Sequence, residues 1–271
     1  MPLACAAPQA GAAPPASAAP SSIAAPAPAN PPAVAHPGCF LLQDLATGVV
    51  TSVHPERCAR ALVPASTFKI PHALIALELG VVTDPRAEVP WDGTLYTNKD
   101  WQAPQSLASA LQVSCVWFFQ GIARAVGRSR MQARLRALRY GNMQVSRDLT
   151  GFWLEGGSLT VTGPQQLDYL RRMANYELPV ARRHIDTVWS LLRADPRLLA
   201  ARLPAGETWP ESAAIIEAKT GTADGVSWWV GRITGPRGAH VFVSRVDGLP
   251  ASHTSAALSA GLRALADAGL L

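Results

Sequence analysis

The sequence predicts an α+β domain: an antiparallel sheet flanked by N- and C-terminal helices, with a helical subdomain between its strands. The order of patterns carries most of this. A strand pair comes first, a block of helical patterns follows, then three strand patterns in succession and a final helix. Runs of strands kept apart from runs of helices favour an antiparallel α+β sheet over a doubly wound one. Composition agrees, because 48% hydrophobic against 16% charged residues over 271 positions is enough to build a core. No stretch approaches the ~18–20 continuous apolar residues needed to cross a bilayer.

Residues 1–38 stand apart. Alanine or proline fills 25 of these 38 positions and no side chain is charged. Recurrent proline denies a helix and there is too little bulky apolar surface for a core, so the segment reads as a polyproline-like or disordered leader. It has neither a basic start nor a continuous apolar region of the kind a signal peptide needs. The folded domain is expected over 39–271.

Cys39-Phe-Leu-Leu-Gln-Asp reads as a strand, Ala46-Thr47-Gly48 as a turn, and the β-branched run Val49–Val53 as the returning strand. Ser66 to Gly80 reads as a helix with Ser66 as its N-cap and Gly80 as its stop, apolar nearly all round and therefore central and buried. Two helical patterns follow over 105–120 and 121–139. In the second, Ile122, Val126, Met131, Leu135 and Leu138 fall on one face, and Arg124, Arg128, Arg130, Arg134, Arg136 and Arg139 on the other. No aromatic residues interleave these arginines and no binding motif accompanies them, so the cluster reads as a solvated face rather than a nucleic-acid surface. Residues 164–176 and 182–194 read as further helices. Ala214–Thr220, Val226–Ile233 and His240–Val246 read as strands, and Thr254–Gly269 as a closing helix.

Four cysteines, at 5, 39, 58 and 115, allow three full pairings. A hairpin turning near 46–48 brings Cys39 and Cys58 towards the same end, which makes a Cys39–Cys58 disulfide geometrically feasible; two free buried thiols are the alternative. A bridge implies an oxidising compartment. There is no Cys-x-x-Cys pair and no His-Glu-x-x-His, and the histidines are scattered, so no metal site is expected.

The candidate chemistry begins with lysine. Only three of the 24 cations are lysines, at 69, 99 and 219. Arginine can carry surface charge almost alone, so a retained lysine points to use of its titratable amine. Ser66 and Lys69 are three residues apart, on one helix face. An alcohol is a weak nucleophile at neutral pH and needs an adjacent base, and a lysine in apolar surroundings can serve. Ser114-Cys115-Val116, Tyr140-Gly141-Asn142 and Lys219-Thr220-Gly221, the last ending a predicted strand, follow in order.

Together these motifs resemble the penicillin-recognising serine enzymes, and in detail the class D β-lactamases (oxacillinases). Pro64-Ala-Ser-Thr-Phe-Lys-Ile-Pro, Trp91-Asp-Gly, Phe152-Trp-Leu-Glu-Gly and Ser227-Trp-Trp-Val-Gly are similar to that family as well, so the resemblance runs from about Cys39 to the C-terminus. It implies that β-lactams are the substrates and that Ser66 is the nucleophile that becomes acylated. It also implies that Lys69, reversibly modified by CO2 to N6-carboxylysine, is the base, with no other cofactor. Only a neutral amine can add CO2, so the site must depress the lysine pKa. Ser114 would relay a proton to the leaving nitrogen with help from Lys219. Trp153 would donate to the carbamate, and Phe68, Val116 and Leu154 would form apolar walls. Thr220, Gly221 and Thr222 would border the substrate, with the backbone N–H groups of Ser66 and Thr222 as the oxyanion hole.

One departure stands out. The family usually has an arginine near a Leu-Pro after the last core strand, to pair with the substrate carboxylate. Here Leu249-Pro250 is followed by Ala251-Ser252-His253, which leaves Thr220, Thr222, Ser252 or Arg245 as candidates for that contact. Two other readings remain open: a β-lactam sensor domain that stays acylated, and a slowly deacylating transpeptidase-like enzyme. The resemblance and the expected disulfide together imply a periplasmic or secreted bacterial protein.

Overall fold

The computed structural model describes residues 38–200, 214–223, 225–248 and 255–271. The leader, apart from Gly38, and the Leu249–Ser252 stretch lie outside these residues. In chain order the elements are β1 (Cys39–Asp44), β2 (Val50–Val53), α1 (Pro55–Cys58), a 3-10 turn (Ala65–Phe68), α2 (Lys69–Glu78), α3 (Leu107–Gln112), α4 (Val116–Val126), α5 (Arg128–Leu138), α6 (Gly163–Ala174), α7 (Arg182–Leu191), α8 (Pro196–Ala200), β3 (Ile215–Ala223), β4 (Val226–Gly235), β5 (Gly238–Asp247) and α9 (Ala256–Asp267). The strands form one antiparallel sheet in the order β2-β1-β5-β4-β3, which places β3 at an edge.

Period-two alternation sends neighbouring side chains to opposite faces and so builds two cores. Trp228, Val230, Val241 and Val243 join Leu41 and the helical block on one face. Trp229, Ile233, Phe242, Phe40 and Leu42 pack under α9 on the other, against Ala257, Leu258, Leu262 and Leu265. Helix α9 lies so close that a β-carbon at Gly261 would sit 2.5 Å from the Trp229 ring. Helix α2 runs through the larger core, and every residue from Lys69 to Leu77 is buried. The inward face read for 121–139 is the observed one, with Ile122, Val126, Met131, Leu135 and Leu138 all buried.

Cys39 and Cys58 form a disulfide with a Cα–Cα distance of 5.5 Å. The short α1 swings Cys58 back over β1, and Cys115 is a free buried thiol. Among the described residues no helix is long and apolar enough to cross a membrane. Nor does any group of three or more His, Cys, Asp or Glu gather as metal ligands.

Several local expectations are corrected. Ser66 does not cap a helix. It sits inside the 3-10 turn, where its hydroxyl is engaged by Lys69 instead, and α2 proper starts at Lys69. The pattern over 105–120 is broken at Ser114, whose φ of 57° lies in the left-handed region and interrupts the ladder between α3 and α4. Gly127, at φ 76°, then separates α4 from α5, so the second boundary falls later than the sequence pattern suggests. Strand β3 runs on through Lys219-Thr220-Gly221 to Ala223.

Candidate active site

Ser66 is half-buried in the 3-10 turn and Lys69 opens α2, so their side chains leave the same side of one turn. Lys69 Nζ donates to Ser66 Oγ at 2.7 Å. The lysine is fully buried, with Nζ 5.5 Å from the centroid of the Phe119 ring. Burial, and secondarily the charge of Lys219, hold its pKa well below the ordinary lysine value. The structure therefore places an amine inclined to be neutral against a serine hydroxyl.

The turn carrying Ser66 is fastened from three sides. Within it, the Pro64 carbonyl accepts from Thr67 N at 3.1 Å and from Thr67 Oγ1 at 2.7 Å. From α6, Gln166 Nε2 donates to Thr67 Oγ1 at 2.8 Å, and Tyr140 Oη donates to Gln166 Oε1 at 3.1 Å. All three side chains are buried, and burial pushes the Tyr140 phenol pKa up. From the sheet, Trp228 Nε1 donates to the Val63 carbonyl at 3.0 Å. Gly221 on β3 approaches closely enough that a β-carbon would sit 2.9 Å from both Pro64 O and Thr67 N. Only glycine lets the edge strand reach the turn that carries Ser66.

Thr67 and Gln166 are functional neighbours that sequence reasoning missed. A signal existed, since Gln166 shares an inward stripe with Leu170 and Met173, four and seven residues on. Tyr140 is fully buried behind the turn, and Asn142 Nδ2 is spent on the Ser158 carbonyl.

The remaining expected residues divide by burial. Trp153 is fully buried, 5.7 Å from Phe68 and 5.1 Å from His72 between ring centroids, and among the described residues its Nε1 has no hydrogen-bond partner. Ser114 sits at the α3–α4 break, and Val116 opens α4; both are half-buried, as is Leu154. Lys219 is buried and donates to the Thr220 carbonyl at 3.1 Å, and burial lowers its pKa to about 8. Along the edge strand Thr220 is half-buried, Gly221 buried and Thr222 exposed.

Arg245 is removed from the carboxylate-binding candidates. It is fully buried, lies 5.3 Å from the Trp228 ring and donates to the carbonyls of Arg57 and Arg60 around α1, so its guanidinium is already spent on structure. Thr220 and Thr222 remain, and Ser252 lies outside the described residues.

The penicillin binding protein transpeptidase domain matches residues 38–256. β-Lactamase OXA-5 of Pseudomonas aeruginosa is 34% identical over 217 residues, spanning 78% of this chain and 76% of that protein. The probable β-lactamase YbxI of Bacillus subtilis (strain 168) is 32% identical over 213 residues, 78% and 74% of the respective chains. A crystal structure of a class D β-lactamase from Bacillus subtilis superposes with a TM-score of 0.76 at 30% identity, covering 86% of this chain and 92% of the other. The C-terminal domain of the Bacillus licheniformis BlaR penicillin-receptor superposes with a TM-score of 0.76 at 27% identity, covering 86% and 91%.

Proposed function

The chain belongs to the class D β-lactamases, and on that premise we propose that it opens the amide bond of β-lactams through an acyl-enzyme on Ser66, with carboxylated Lys69 as the general base. The observation that carries this reading is the 2.7 Å contact between Ser66 Oγ and a fully buried lysine whose amine is held towards its neutral form.

Ser66 Oγ bonds to the lactam carbonyl carbon and gives its proton to the base; the C–N bond then breaks, and the ring nitrogen takes up a proton through Ser114, aided by Lys219. Water next cleaves the ester, releasing the carboxylic acid and restoring the Ser66 hydroxyl. The N–H groups of Ser66 and Thr222 receive the oxyanion, each donor worth ~2.7–4 kcal/mol.

Carboxylation joins Lys69 Nζ to the carbon of CO2 and releases one proton, leaving an anionic base in place of the amine. The surroundings fit that group. Burial favours the neutral amine that reacts, and the unpartnered Trp153 Nε1 supplies a donor for the anion. Val116 and Leu154 form apolar walls, while Thr220 and Thr222 meet the substrate carboxylate in place of an arginine. The Cys39–Cys58 bridge supports a periplasmic or secreted location.

Likeness to a penicillin-receptor domain makes a sensor the second reading. The deacylation rate after stoichiometric exposure to a penicillin separates them. Rapid return of free enzyme with hydrolysed product supports the hydrolase; an acyl adduct that persists for hours supports a sensor or a transpeptidase-like protein.

A further inference from the structure

One helical turn beyond Lys69, His72 is fully buried, and among the described residues neither of its ring nitrogens has a hydrogen-bond partner. Native interiors seldom leave a polar side chain unpaired, so such a group asks for a partner. Trp153 Nε1 is in the same condition, and the indole and imidazole meet edge to face at 5.1 Å. Phe119 ties the imidazole to the lysine: its ring is 5.3 Å from His72 and 5.5 Å from Lys69 Nζ. The two unpaired polar groups thus share the aromatic cluster whose Phe119 ring lies against the buried amine. The titratable groups acting on Lys69 are Lys219 from β3, which lowers its pKa, and Cys115 from the start of α4, which raises it. On His72 it is Lys69 itself.

We propose that His72 is a positioning residue for the general base: its ring N–H donates to the carbamate of Lys69, as a second donor beside Trp153. The inference rests on the carboxylated-lysine reading and extends it to a residue outside the expected site. Burial is the larger of the two causes that lower the imidazole pKa, and it favours the neutral ring with its one N–H. A hydrogen bond to an anion in a water-poor pocket is stronger than one between neutral groups. Its loss should show first in the equilibrium between amine and carbamate.

The test is a titration with 13C-bicarbonate at fixed pH, following the carbamate carbon by NMR in the full-length protein and in His72→Leu and His72→Asn. The leucine variant keeps the apolar volume and removes the donor; the asparagine variant keeps a donor. His72→Leu should need roughly tenfold more bicarbonate for half-modification, and His72→Asn should lie within about threefold of the unsubstituted protein. A His72→Leu midpoint equal to the unsubstituted one overturns the role of His72 while leaving the carbamate standing. A carbamate signal absent from the unsubstituted protein at every concentration overturns both.

If His72→Leu does not fold, 15N-histidine labelling of the unsubstituted protein decides. One buried imidazole resonance, assigned by its loss in His72→Asn, should move with the same bicarbonate midpoint as the carbamate signal. A resonance that stays fixed overturns the proposal.

Discussion

Gln166→Leu should loosen the nucleophile turn without touching the nucleophile. The substitution keeps apolar volume on α6 but removes two hydrogen bonds, the 2.8 Å donation to Thr67 Oγ1 and the 3.1 Å acceptance from Tyr140 Oη. Thr67 keeps its own bond to Pro64 O, so its share of the loss is one ordinary hydrogen bond, ~0.5–1.5 kcal/mol. The Tyr140 hydroxyl fares worse, since it is buried, loses the Gln166 acceptor and keeps only Thr67 as a side-chain partner, which costs ~1–3 kcal/mol. The sum is about 1.5–4.5 kcal/mol, which for a domain of this size lowers Tm by roughly 3–18 °C. Adding Tyr140→Phe removes the stranded hydroxyl but keeps the ring against Phe68 and Tyr169, so the double variant should regain about 1 kcal/mol over Gln166→Leu alone. Thermal and denaturant unfolding of the four proteins closes this cycle, and stopped-flow acylation adds the functional arm. Acylation should slow while Ser66 and Lys69 remain intact, because reaction depends on the oxygen being held in line. Additive effects of the two substitutions, or a Gln166→Leu protein within about 0.5 kcal/mol of its parent, would refute the relay.

Ser66→Ala should fold and yet take up no penicillin by intact-mass analysis; an acyl adduct on that variant would remove Ser66 from its role. Activity should be weak in CO2-depleted buffer, recover with bicarbonate, and be lost as pH falls through the depressed Lys69 pKa, because protonation removes the amine that adds CO2. Trp153→Ala should slow deacylation more than acylation in pre-steady-state kinetics, since the carbamate loses a donor. Lys219 should give a basic limb near pH 8 if its proton assists the leaving nitrogen, and Lys219→Arg should shift that limb upward in the kcat/KM profile. The stability sign is opposite: the unfolded chain holds that proton up to the ordinary lysine pKa, so folding stability gains from this group as pH rises from about 8. Reducing Cys39–Cys58, whose loop spans 19 residues, should cost ~3 kcal/mol in denaturant unfolding.

Periodicity made most of the fold legible before any coordinates. Strand patterns bounded by Gly, Pro and Asp turns marked β4 and β5, and the arginine-faced stripe of 121–139 marked the buried side of α5 and the end of α4. What sequence missed lies where the backbone leaves its common wells or where contacts span distant segments. Ser114 breaks a helix in a left-handed conformation that serine rarely adopts, so no glycine announced the break. The sequence pattern gave no strand side for Arg245, and its burial against Trp228 appears only once β4 and β5 are in register. Gln166 and Thr67 are 99 positions apart, and only the packing of α6 against the nucleophile turn joins them. Short, ordered motifs singled out Ser66, Lys69 and Lys219 in the sequence, and the structure sets Ser66 and Lys69 in contact.

The placement of the three lysines has a practical consequence for handling the protein. Lys69 and Lys219 are buried, whereas Lys99 is exposed on the short turn that ends at Trp101. Positive charge elsewhere rests on guanidinium groups, which do not react with amine-directed reagents under mild conditions. An active-ester dye or an amine-coupling surface therefore meets one lysine side chain on the folded domain. Conjugation through lysine becomes a single-address reaction, and the two buried amines are shielded from the reagent by the same packing that lowers their pKa.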